Sequence, residues 1–447
     1  MLGAIETLLS VQYGAIVDDY KRIADKLAAA IAAGTLKPGD QLPPQRQMAR
    51  RYRIANSTVA RVYTELRRRG LVVGETGRGT FVRASPPADA PALTEPPLAT
   101  VDMELNFSVL PGQAAMQAAS LTGLIRGDVM ASALLPTTAT GSPSLRAAAV
   151  RMMSRGGWSP SSVVFTGNGR QAIAAALEVL VPNGGRLGVE PLTYPVVKGI
   201  AVRRGITLVP LPMDSHGLAL RPSDLAGVDA VYMQPTLHNP LGVTMPVERR
   251  AELGAVLTQA GIYAIEDNIY GFLAEDLPPL ERTVVVDSLS KRLAPGLTVG
   301  FIAPPAELTD RVVAAVRSTG LAAQHFAMEA AVRWLTDGVV ERICAAKRED
   351  ALARQEVARE YLTVTGDPRA YHCWWELPEP WRAEAFVAAA ARLGIALAPA
   401  AAFAVAPGHS RNAVRLSLSS PPLETLRTAL QTLARLAASD PYEGLDT

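Results

Sequence analysis

The chain has 447 residues and a mass of 47.3 kDa, a length typical of about two or three domains. Hydrophobic residues make up 49% of it and charged residues 19%, a composition that excludes an intrinsically disordered protein. Two cysteines, Cys344 and Cys373, cannot form a disulfide framework or a four-ligand zinc site, and they are typical of a reducing cytoplasm.

The N-terminal segment lacks the features of a targeting sequence. Residues 1–17 are apolar but contain Glu6, and no basic region precedes the apolar stretch. An uncharged apolar run of about 18 residues, which a membrane helix needs, is also missing there. We therefore expect a cytoplasmic protein that does not contact a membrane.

The formal net charge of +2 conceals a strong asymmetry along the chain. Between Tyr20 and Arg83 there are 14 Lys and Arg residues and four acidic residues, a local net charge of +10. The residues after Arg83 carry a net charge of −5. A basic segment of this kind indicates a nucleic acid or another anionic surface as the partner. The alternative at this point is a solvated basic face without a partner.

The basic segment has the pattern of short helices followed by a two-stranded ribbon. Residues 20–33 predict an amphipathic helix, because their apolar side chains recur on one face. Shorter helices are expected over residues 44–51 and 58–69, and residues 71–83 predict a hairpin with a Gly-rich tip. Together these elements predict a winged helix-turn-helix, with the helix over 58–69 in the major groove of DNA.

Residues 34–82 resemble the DNA-binding domain of GntR-type bacterial regulators over their whole length. The resemblance implies that these residues contact double-stranded DNA: Arg46, Asn56, Ser57, Thr58, Arg61, Arg78 and Gly79. Ser57 and Thr58 fall at the start of a predicted helix, a position that suits a phosphate group. Arg46 and Arg61 have the planar fork that binds guanine through two hydrogen bonds. We expect this N-terminal domain to span residues 1–83.

Residues 84–100 predict a linker, since five prolines and five alanines occur in the 16 positions from 84 to 99. Residues 101–447 then alternate short β-rich runs with helical patterns, which predicts an α/β fold with a parallel sheet covered on both faces. The expected strands lie at 163–166, 187–189, 208–211, 230–233, 262–266, 284–287 and 299–303. From about residue 338 the pattern predicts a smaller α+β lobe.

A glycine-containing motif follows the first of these strands. Gly167-x-Gly169-x-x-Ala172 opens a predicted helix, with Glu190 about 20 residues further on, as in a dinucleotide-binding fingerprint. Backbone N–H groups of Gly169 and Arg170 would hold a phosphate at this helix start. The motif alone predicts an anion site and leaves the identity of the cofactor open.

Four further motifs follow in order: EPLTYP at 190–195, PTLHNPLG at 235–242, IEDNIYGF at 265–272 and DSLSKRLAPGLTVG at 287–300. Together they resemble the pyridoxal 5'-phosphate (PLP) sites of fold-type I aminotransferases, with matches over about residues 105–440. The resemblance implies a large α/β lobe and a small α+β lobe within residues 101–447. Taken singly, each motif is also explained by a loop acid, a core aromatic or a surface lysine.

The resemblance assigns roles to the matching side chains. Lys291 would form the Schiff base with the PLP aldehyde, and Asp267 would pair with the pyridine nitrogen and keep the ring electron-withdrawing. Arg415, in AVRLSL, would grip the α-carboxylate of an effector with its planar fork. The other implied cofactor-binding residues are Tyr194 on the ring face, Asn239 and Tyr270 at the phenolic oxygen, and Gly169, Arg170, Ser288, Ser290 and Arg292 around the rest of the cofactor.

Some positions depart from the family pattern. Thr298 stands where the family has a phosphate-binding arginine, and Pro136 stands where a partner-subunit tyrosine is expected. We predict that Arg170 compensates for these losses, with Arg292 as the alternative. His238 replaces a glutamine, and we interpret it as a hydrogen-bonded residue of the site wall rather than a base.

The order of a GntR-type head, a Pro-rich linker and an aminotransferase-like body resembles the MocR subfamily of bacterial transcription regulators over nearly the whole chain. The resemblance implies a PLP-dependent DNA-binding regulator that senses PLP or an amino compound, and a head-to-tail homodimer with each head near the partner's body. One alternative is a catalytically active aminotransferase with an accessory DNA-binding head. Another is a body that only dimerises. The five histidines have no metal-ligand spacing, so we expect no metal.

Overall fold

The computed structural model describes residues 19–32, 35–37, 39–52, 54–68, 71–75, 79–82, 99–136, 138–274, 277–406 and 411–439. Arg78, which is predicted to contact DNA, and nearly all of the expected linker lie outside these residues. None of the helices within the described ranges is long and apolar enough to cross a membrane.

The head folds as the predicted winged helix-turn-helix. Its elements are α1 (Asp19–Ala32), β1 (Gln41–Leu42), α2 (Gln45–Tyr52), α3 (Asn56–Arg68), β2 (Val72–Glu75) and β3 (Gly79–Val82). Apolar side chains of the three helices and the strands, among them Leu27, Val62 and Leu66, form one core. Helix α3 begins two residues earlier than expected, so Asn56 and Ser57 lie in its first turn. Strand β1 pairs with β3 and is too short for the sequence pattern to predict.

The two long strands of the wing are buried on both faces. Side chains alternate between the two faces along each strand, so neighbouring residues pack against different partners. Strands β2 and β3 pair antiparallel, with Val72 opposite Val82 and Val73 opposite Phe81. Val72 and Val82 belong to the core of the head. Val73 and Phe81 instead pack against Ala401 of the body. The outer face of the wing is therefore a contact between head and body.

The large lobe of the body is built on one mixed sheet. The strands up to residue 303 are β4 (Val101–Asp102), β5 (Val164–Thr166), β6 (Arg186–Val189), β7 (Thr207–Pro210), β8 (Met213–Asp214), β9 (Gly217–Leu218), β10 (Ala230–Met233), β11 (Tyr263–Asp267), β12 (Thr283–Ser288) and β13 (Gly300–Ala303). Seven of them form the sheet in the order β5-β13-β12-β11-β10-β6-β7. These are the seven strands expected from the sequence, and β8 pairs with β9 separately.

The prediction of a parallel sheet is wrong for one strand. Strand β13 runs antiparallel to both of its neighbours, β12 and β5. The remaining pairs in the sheet are parallel. A short apolar run such as GFIA is buried in the same way in either direction, so the pattern does not encode strand polarity.

Helices cover both faces of this sheet, as the alternating pattern predicts. The helices are α4 (Gln113–Leu121), α5 (Gly127–Ala133), α6 (Pro143–Met153), α7 (Gly169–Leu180), α8 (Pro195–Arg203), α9 (Val247–Ala260), α10 (Leu289–Arg292), α11 (Thr309–Ser318), α12 (His325–Thr336) and α13 (Val339–Tyr361). One face packs against α6, α12 and α13 around Phe165, Phe301 and Trp334. The other face packs against α7, α8 and α11 around Ile173 and Val312.

The small lobe is the α+β unit expected near the C-terminus. Its elements are β14 (His372–Glu376), α14 (Ala383–Arg392), β15 (Ile395–Ala396), β16 (Ala398–Pro399), α15 (Ala400–Phe403), β17 (Ala413–Ser417) and α16 (Leu423–Ala438). Strands β14, β17 and β16 form a sheet over a core that contains Trp375, Phe386 and Leu430. Strand β15 pairs with β4, so the first strand after the linker belongs to this lobe.

Candidate functional site

A cavity of about 580 Å³ lies between the two lobes, where strands β11 and β12 of the large sheet end. Its volume is typical of small-molecule sites. The cavity is lined by ten of the side chains or glycines singled out from the sequence: Gly169, Arg170, Tyr194, Asn239, Asp267, Tyr270, Ser288, Ser290, Lys291 and Arg415. It is also lined by polar residues that the sequence did not single out, among them Glu104, Asn106 and Gln234.

Lys291 lies on α10, directly after β12, and its side chain enters the cavity. Its amino group donates a hydrogen bond to the backbone carbonyl of Asn106. Burial, together with the positive charges of Arg415 and Arg170, lowers the pKa of Lys291 to about 7. The lowered pKa favours the unprotonated amine, which is the form that attacks a carbonyl carbon.

A second lysine holds the short helix that carries Lys291. Lys347, on α13, is fully buried, and its nitrogen donates to the carbonyl oxygens of Ser108 at 2.7 Å, Lys291 at 2.9 Å and Leu293 at 2.7 Å. All three protons of the ammonium group are thus used. Burial lowers the pKa of Lys347 to about 8. No motif marks Lys347, because it acts on backbone groups far away in the chain.

Asp267 ends strand β11 at the floor of the cavity. Its Oδ2 atom accepts hydrogen bonds from the hydroxyl of Tyr232 at 2.7 Å and from Nε2 of Gln234 at 2.9 Å, and its Oδ1 atom accepts from the backbone N–H of Ile269 at 3.2 Å. Burial raises the pKa of Asp267 to about 6, although these hydrogen bonds oppose the shift. The carboxyl group is fixed in orientation and can pair with a protonated ring nitrogen.

The start of helix α7 forms one wall of the cavity. Asn168 caps this 12-residue helix, because its Oδ1 atom accepts from the N–H of Gln171 at 3.0 Å. Gly169 lies against Ser288, and a Cβ at Gly169 would be only 3.2 Å from Ser288 Oγ. Ser288 in turn caps α10. The backbone N–H groups at the start of α7 can therefore bind an anion, as the glycine motif predicts.

Tyr270 is held by buried polar groups whose proton positions can be deduced. The carbonyl oxygen of His238 only accepts hydrogen bonds, so Nε2 of His372, 3.0 Å away, carries a proton. Burial lowers the pKa of His372 to about 3, so its ring is neutral and its Nδ1 atom is an acceptor. The side-chain nitrogen of Asn106 lies 3.1 Å from that Nδ1 and 2.9 Å from the hydroxyl oxygen of Tyr270, and it donates to both.

The proton of Tyr270 is consequently directed into the cavity. Its hydroxyl oxygen already accepts a bond from Asn106, and Tyr270 lines the cavity wall. The amide of Asn106 cannot rotate freely, because its oxygen accepts from the hydroxyl of Ser419 at 3.0 Å. Sequence reasoning missed Asn106 and His372, since only the folded chain brings them to Tyr270.

Arg415 lies on β17 of the small lobe and lines the cavity. It donates to the backbone carbonyl of Glu104, and its guanidinium carbon is 5.4 Å from the ring centre of Phe403. Its Nε atom is buried without a hydrogen-bond partner among the described residues. Burial lowers the pKa of Arg415, but an arginine stays charged at any ordinary pH. This guanidinium can therefore bind a carboxylate.

The structure corrects the expectation for Arg292. Its Nη2 atom donates to Asp287 Oδ2 at 2.6 Å, and its guanidinium carbon lies 5.3 Å from the ring centre of Phe272. It does not line the cavity and is not available to a phosphate group there. Thr298 also lies outside the lining, with its hydroxyl 2.9 Å from that of Ser290. Arg170 lines the cavity, and its role in binding phosphate stays a prediction.

His238 differs from its expected role as a hydrogen-bonded wall residue. It is buried and does not line the cavity, and the nearest hydrogen-bonding group to its ring is the backbone of Leu192. Its Nε2 atom lies 4.0 Å from Oε1 of Glu190. Burial lowers the pKa of His238 and raises that of Glu190, so it favours the neutral form of each group.

The described residues among those predicted to contact DNA lie along α2, α3 and the wing. Arg46 lines an open groove on α2 together with Arg50. Asn56 and Ser57 are exposed at the start of α3. Thr58 follows them in the same turn, Arg61 is exposed one turn later, and Gly79 begins β3 with a φ of +126°. Their contacts with DNA stay predictions.

Comparison with known proteins identifies the class of both domains. Residues 19–82 match the family of bacterial regulatory proteins, gntR family, and residues 108–433 match the family of class I and II aminotransferases. The chain therefore belongs to the class I and II aminotransferase family and carries a gntR-family head. The head implies DNA binding, and PLP is the cofactor expected of the body.

Relatives named as transcription regulators align with most of this chain. The HTH-type transcriptional regulator YdeF of Bacillus subtilis is 28% identical, with 93% of this chain and 94% of that protein covered. The probable rhizopine catabolism regulatory protein MocR of Rhizobium meliloti is 27% identical over 70% of this chain and 71% of its own length. The vitamin B6 salvage pathway transcriptional repressor PtsJ of Salmonella typhimurium is 25% identical over 90% and 96%. Within the class, the chain is a member of the MocR subfamily.

A solved structure agrees with the fold of the body. The multiple substrate aminotransferase from Thermococcus profundus superposes with a TM-score of 0.69 at 23% identity, covering 78% of this chain and 94% of the enzyme. A likeness at this identity concerns the fold alone.

Proposed function

We propose that this chain is a bacterial, cytoplasmic transcription regulator that binds DNA through its head and senses PLP, or an amino compound joined to PLP, through its body. The observation that carries the proposal is one cavity lined by Lys291, Asp267 and Arg415 in a chain that also has a basic winged helix-turn-helix. The relatives named as transcriptional regulators or repressors support the same function.

The residues of the cavity fit PLP. The oxygen of the Asn239 side chain is buried without a partner among the described residues, so it is suited to a polar ligand. Tyr194 would face the ring, Asp267 would pair with the ring nitrogen, and the start of α7 with Ser288 would hold the phosphate. Bound PLP would supply an aldehyde that captures amines and a ring that withdraws electrons. The lowered pKa of Lys291 suits attachment to that aldehyde.

The effector would be PLP itself or an amino acid. Arg415 can bind an α-carboxylate through two parallel hydrogen bonds, and Lys291 would give up its place on the cofactor to the effector's amine. Arg415 donates to the carbonyl of Glu104 through one of its five N–H groups, and its Nε atom has no partner among the described residues, so a carboxylate can bind beside that bond. An effector held by Arg415 of the small lobe and by the cofactor on the large sheet would bridge the two lobes, so its binding is expected to alter the contacts between them.

A homodimer is part of the proposal. Large apolar side chains on the segment from α4 to just beyond α5 are exposed, with Ile125 84% and Leu134 83% accessible. A monomer rarely leaves such residues in water along one segment, and a second copy of the chain would cover them. The double variant Ile125→Glu, Leu134→Glu should sediment as a monomer, whereas Leu352→Glu, an exposed control, should sediment as wild type. In this single chain the wing contacts its own body, so a head near the partner's body stays a prediction.

DNase footprinting of genomic DNA with the full-length protein tests the regulator hypothesis. We expect a footprint of paired half-sites that changes when PLP or one of a panel of amino acids is added, with binding that falls steeply as salt rises. In parallel, release of pyridoxamine phosphate is measured with the same amino acids. Rapid multiple turnover without any specific footprint would favour the aminotransferase hypothesis, and absence of PLP binding would favour a body that only dimerises.

A further inference from the structure

The charged residues of the cavity are not all explained by the cofactor. Among the described residues, those that line the cavity and carry a charge are Glu104, Arg170, Asp267, Asp287, Lys291 and Arg415. In the proposed function, the two arginines, Lys291 and Asp267 bind the cofactor or the carboxylate of an effector. Asp287 is engaged by Arg292 at 2.6 Å and by the backbone N–H of Ser288 at 2.7 Å. Glu104 is the remaining acid, and the cofactor gives it no role.

The backbone of Glu104 is held by hydrogen bonds, whereas its carboxylate has none. Its N–H donates to Asp102 Oδ1 at 2.8 Å, and the N–H of Leu105 donates to the same oxygen at 2.8 Å. Its carbonyl accepts a hydrogen bond from Arg415. Within the described ranges, no group makes a hydrogen bond or a salt bridge with the carboxylate of Glu104. The residue is thus fixed in place while its charged group stays available to a ligand.

The carboxylate of Glu104 lacks a counter-charge at close range. Glu104 is partly buried, and burial raises the pKa of its carboxyl group, although the positive charge of Arg415 opposes this shift. A carboxylate that leaves water without a partner loses hydration free energy, and a ligand cation beside it restores that loss through a charge-assisted hydrogen bond. This position is therefore suited to a positively charged group of a ligand.

Glu104 also lies close to both groups that would hold an amino acid. Its carbonyl is bonded to Arg415, and Asn106, two residues further along, accepts a hydrogen bond from the amino group of Lys291. An effector whose α-carboxylate binds Arg415, and whose α-amine takes the place of Lys291, would lie against this segment. Phe403 lines the same cavity, 5.4 Å from the guanidinium carbon of Arg415, and would pack against methylene groups. An effector side chain with an apolar stem and a positively charged end fits these neighbours.

We propose that the effector is a diamino acid of the type of ornithine and lysine, whose α-carboxylate binds Arg415 and whose side-chain ammonium group binds the carboxylate of Glu104. Glu104 then determines specificity, because it contacts the part of the effector that differs among amino acids. An amino acid without the second amine leaves this carboxylate unpaired, and one with an acidic side chain is repelled by it. This inference rests on the proposed function, since it assumes that the cavity holds PLP and an amino acid.

Two pairs of amino acids, which differ only by the second amine, test the role of Glu104: lysine with norleucine, and ornithine with norvaline. Calorimetry on the PLP-loaded, full-length protein gives the dissociation constant of each. The ratio within a pair cancels any change that affects both members alike. It is measured for the wild type, for Glu104→Gln, which removes the charge at nearly constant size, and for Glu104→Ala. Glu424→Gln changes an exposed glutamate of the small lobe and is the matched control.

The wild type and Glu424→Gln should bind the diamino acid of at least one pair about 10- to 150-fold more tightly than its partner, which is the contribution of one hydrogen bond to a charged group. Both Glu104 variants should bind PLP and give a ratio close to one.

Three results would contradict this assignment in different ways. A wild type without the preference, or a preference that persists in both Glu104 variants, would overturn it and leave the proposed function intact. Loss of PLP binding in both variants would also overturn it, because Glu104 would then act on the cofactor or on the fold. A wild type that does not bind PLP would instead refute the proposed function, and this inference with it.

Discussion

The side-chain nitrogen of Asn106 donates a hydrogen bond to the hydroxyl oxygen of Tyr270 across 2.9 Å, although the two residues lie 164 positions apart. The neutral ring of His372 accepts the second proton of the same amide and so fixes its orientation. Tyr270 is thereby a donor towards the cavity, where an anionic oxygen of a bound cofactor would accept its proton.

Asn106→Asp should weaken PLP binding by about 10- to 100-fold, because the new carboxylate accepts the proton that Tyr270 otherwise presents to the ligand. Absorbance titration with PLP measures the affinity, and the pH at which the visible band of the bound cofactor titrates reports the loss of this hydrogen bond. In a Tyr270→Phe background the substitution should have no further effect. An equal loss in both backgrounds would mean that Asn106 acts by a route that does not involve Tyr270.

The lowered pKa of Lys291 predicts the pH dependence of PLP attachment. Because its pKa is about 7, the unprotonated amine is present above that pH and is lost below it. PLP attached to the lysine is trapped by reduction with borohydride. The rate of this attachment should therefore rise up to about pH 8 and then level off, whereas the rate for an ordinary lysine would keep rising to about pH 10. Lys291→Ala should give no fixable product, and Lys37→Ala, an exposed lysine of the head, should behave as wild type.

Arg170→Gln should weaken PLP binding by about 10- to 150-fold, since a hydrogen bond to a charged group contributes roughly 1.5–3 kcal/mol. Affinity for pyridoxal, which lacks the phosphate, should not change. Arg203→Gln removes an equal charge from an exposed position on α8 and is the control. If Arg170→Gln bound PLP as tightly as the wild type, another group would have to compensate for Thr298 and Pro136, and Arg292 is already engaged by Asp287.

Two arginines of the head should affect DNA binding in different ways according to what they bind. If Arg46 or Arg61 binds a base, its replacement by alanine should cost about 1–3 kcal/mol and relax specificity at one position of the DNA site. If it binds a phosphate, the replacement should weaken binding to all sequences. It should also reduce, by about 1, the slope of the logarithm of the binding constant against the logarithm of the salt concentration. Arg392→Ala, on the body, should change neither quantity. Fluorescence anisotropy at several salt concentrations distinguishes these outcomes, and unchanged binding in both head variants would contradict the proposed interface.

Much of the fold was predictable because its signals are local. The strand at Ala230–Met233 is a short β-rich run, and the motifs around Asp267 and Lys291 mark the ends of two neighbouring strands. The reversed direction of β13 was not predictable, since strand polarity depends on the connections around it.

Several residues of the site could not be predicted from the sequence either, because their roles depend on packing and on contacts with residues far away in the chain. Lys291 and Arg292 are adjacent, yet one enters the cavity and the other turns to Asp287, a choice made by the packing around α10. Asn106 and Lys347 act through hydrogen bonds to residues far away in the chain and carry no motif.

The most direct test of the account is the affinity of the full-length protein for its selected duplex as PLP is titrated, in the wild type and in Lys291→Ala. We predict that PLP, alone or with an amino acid, changes the affinity of the wild type and that Lys291→Ala does not respond at concentrations that saturate the wild type. Identical DNA affinity of the wild type with and without every ligand, despite bound PLP, would contradict the account.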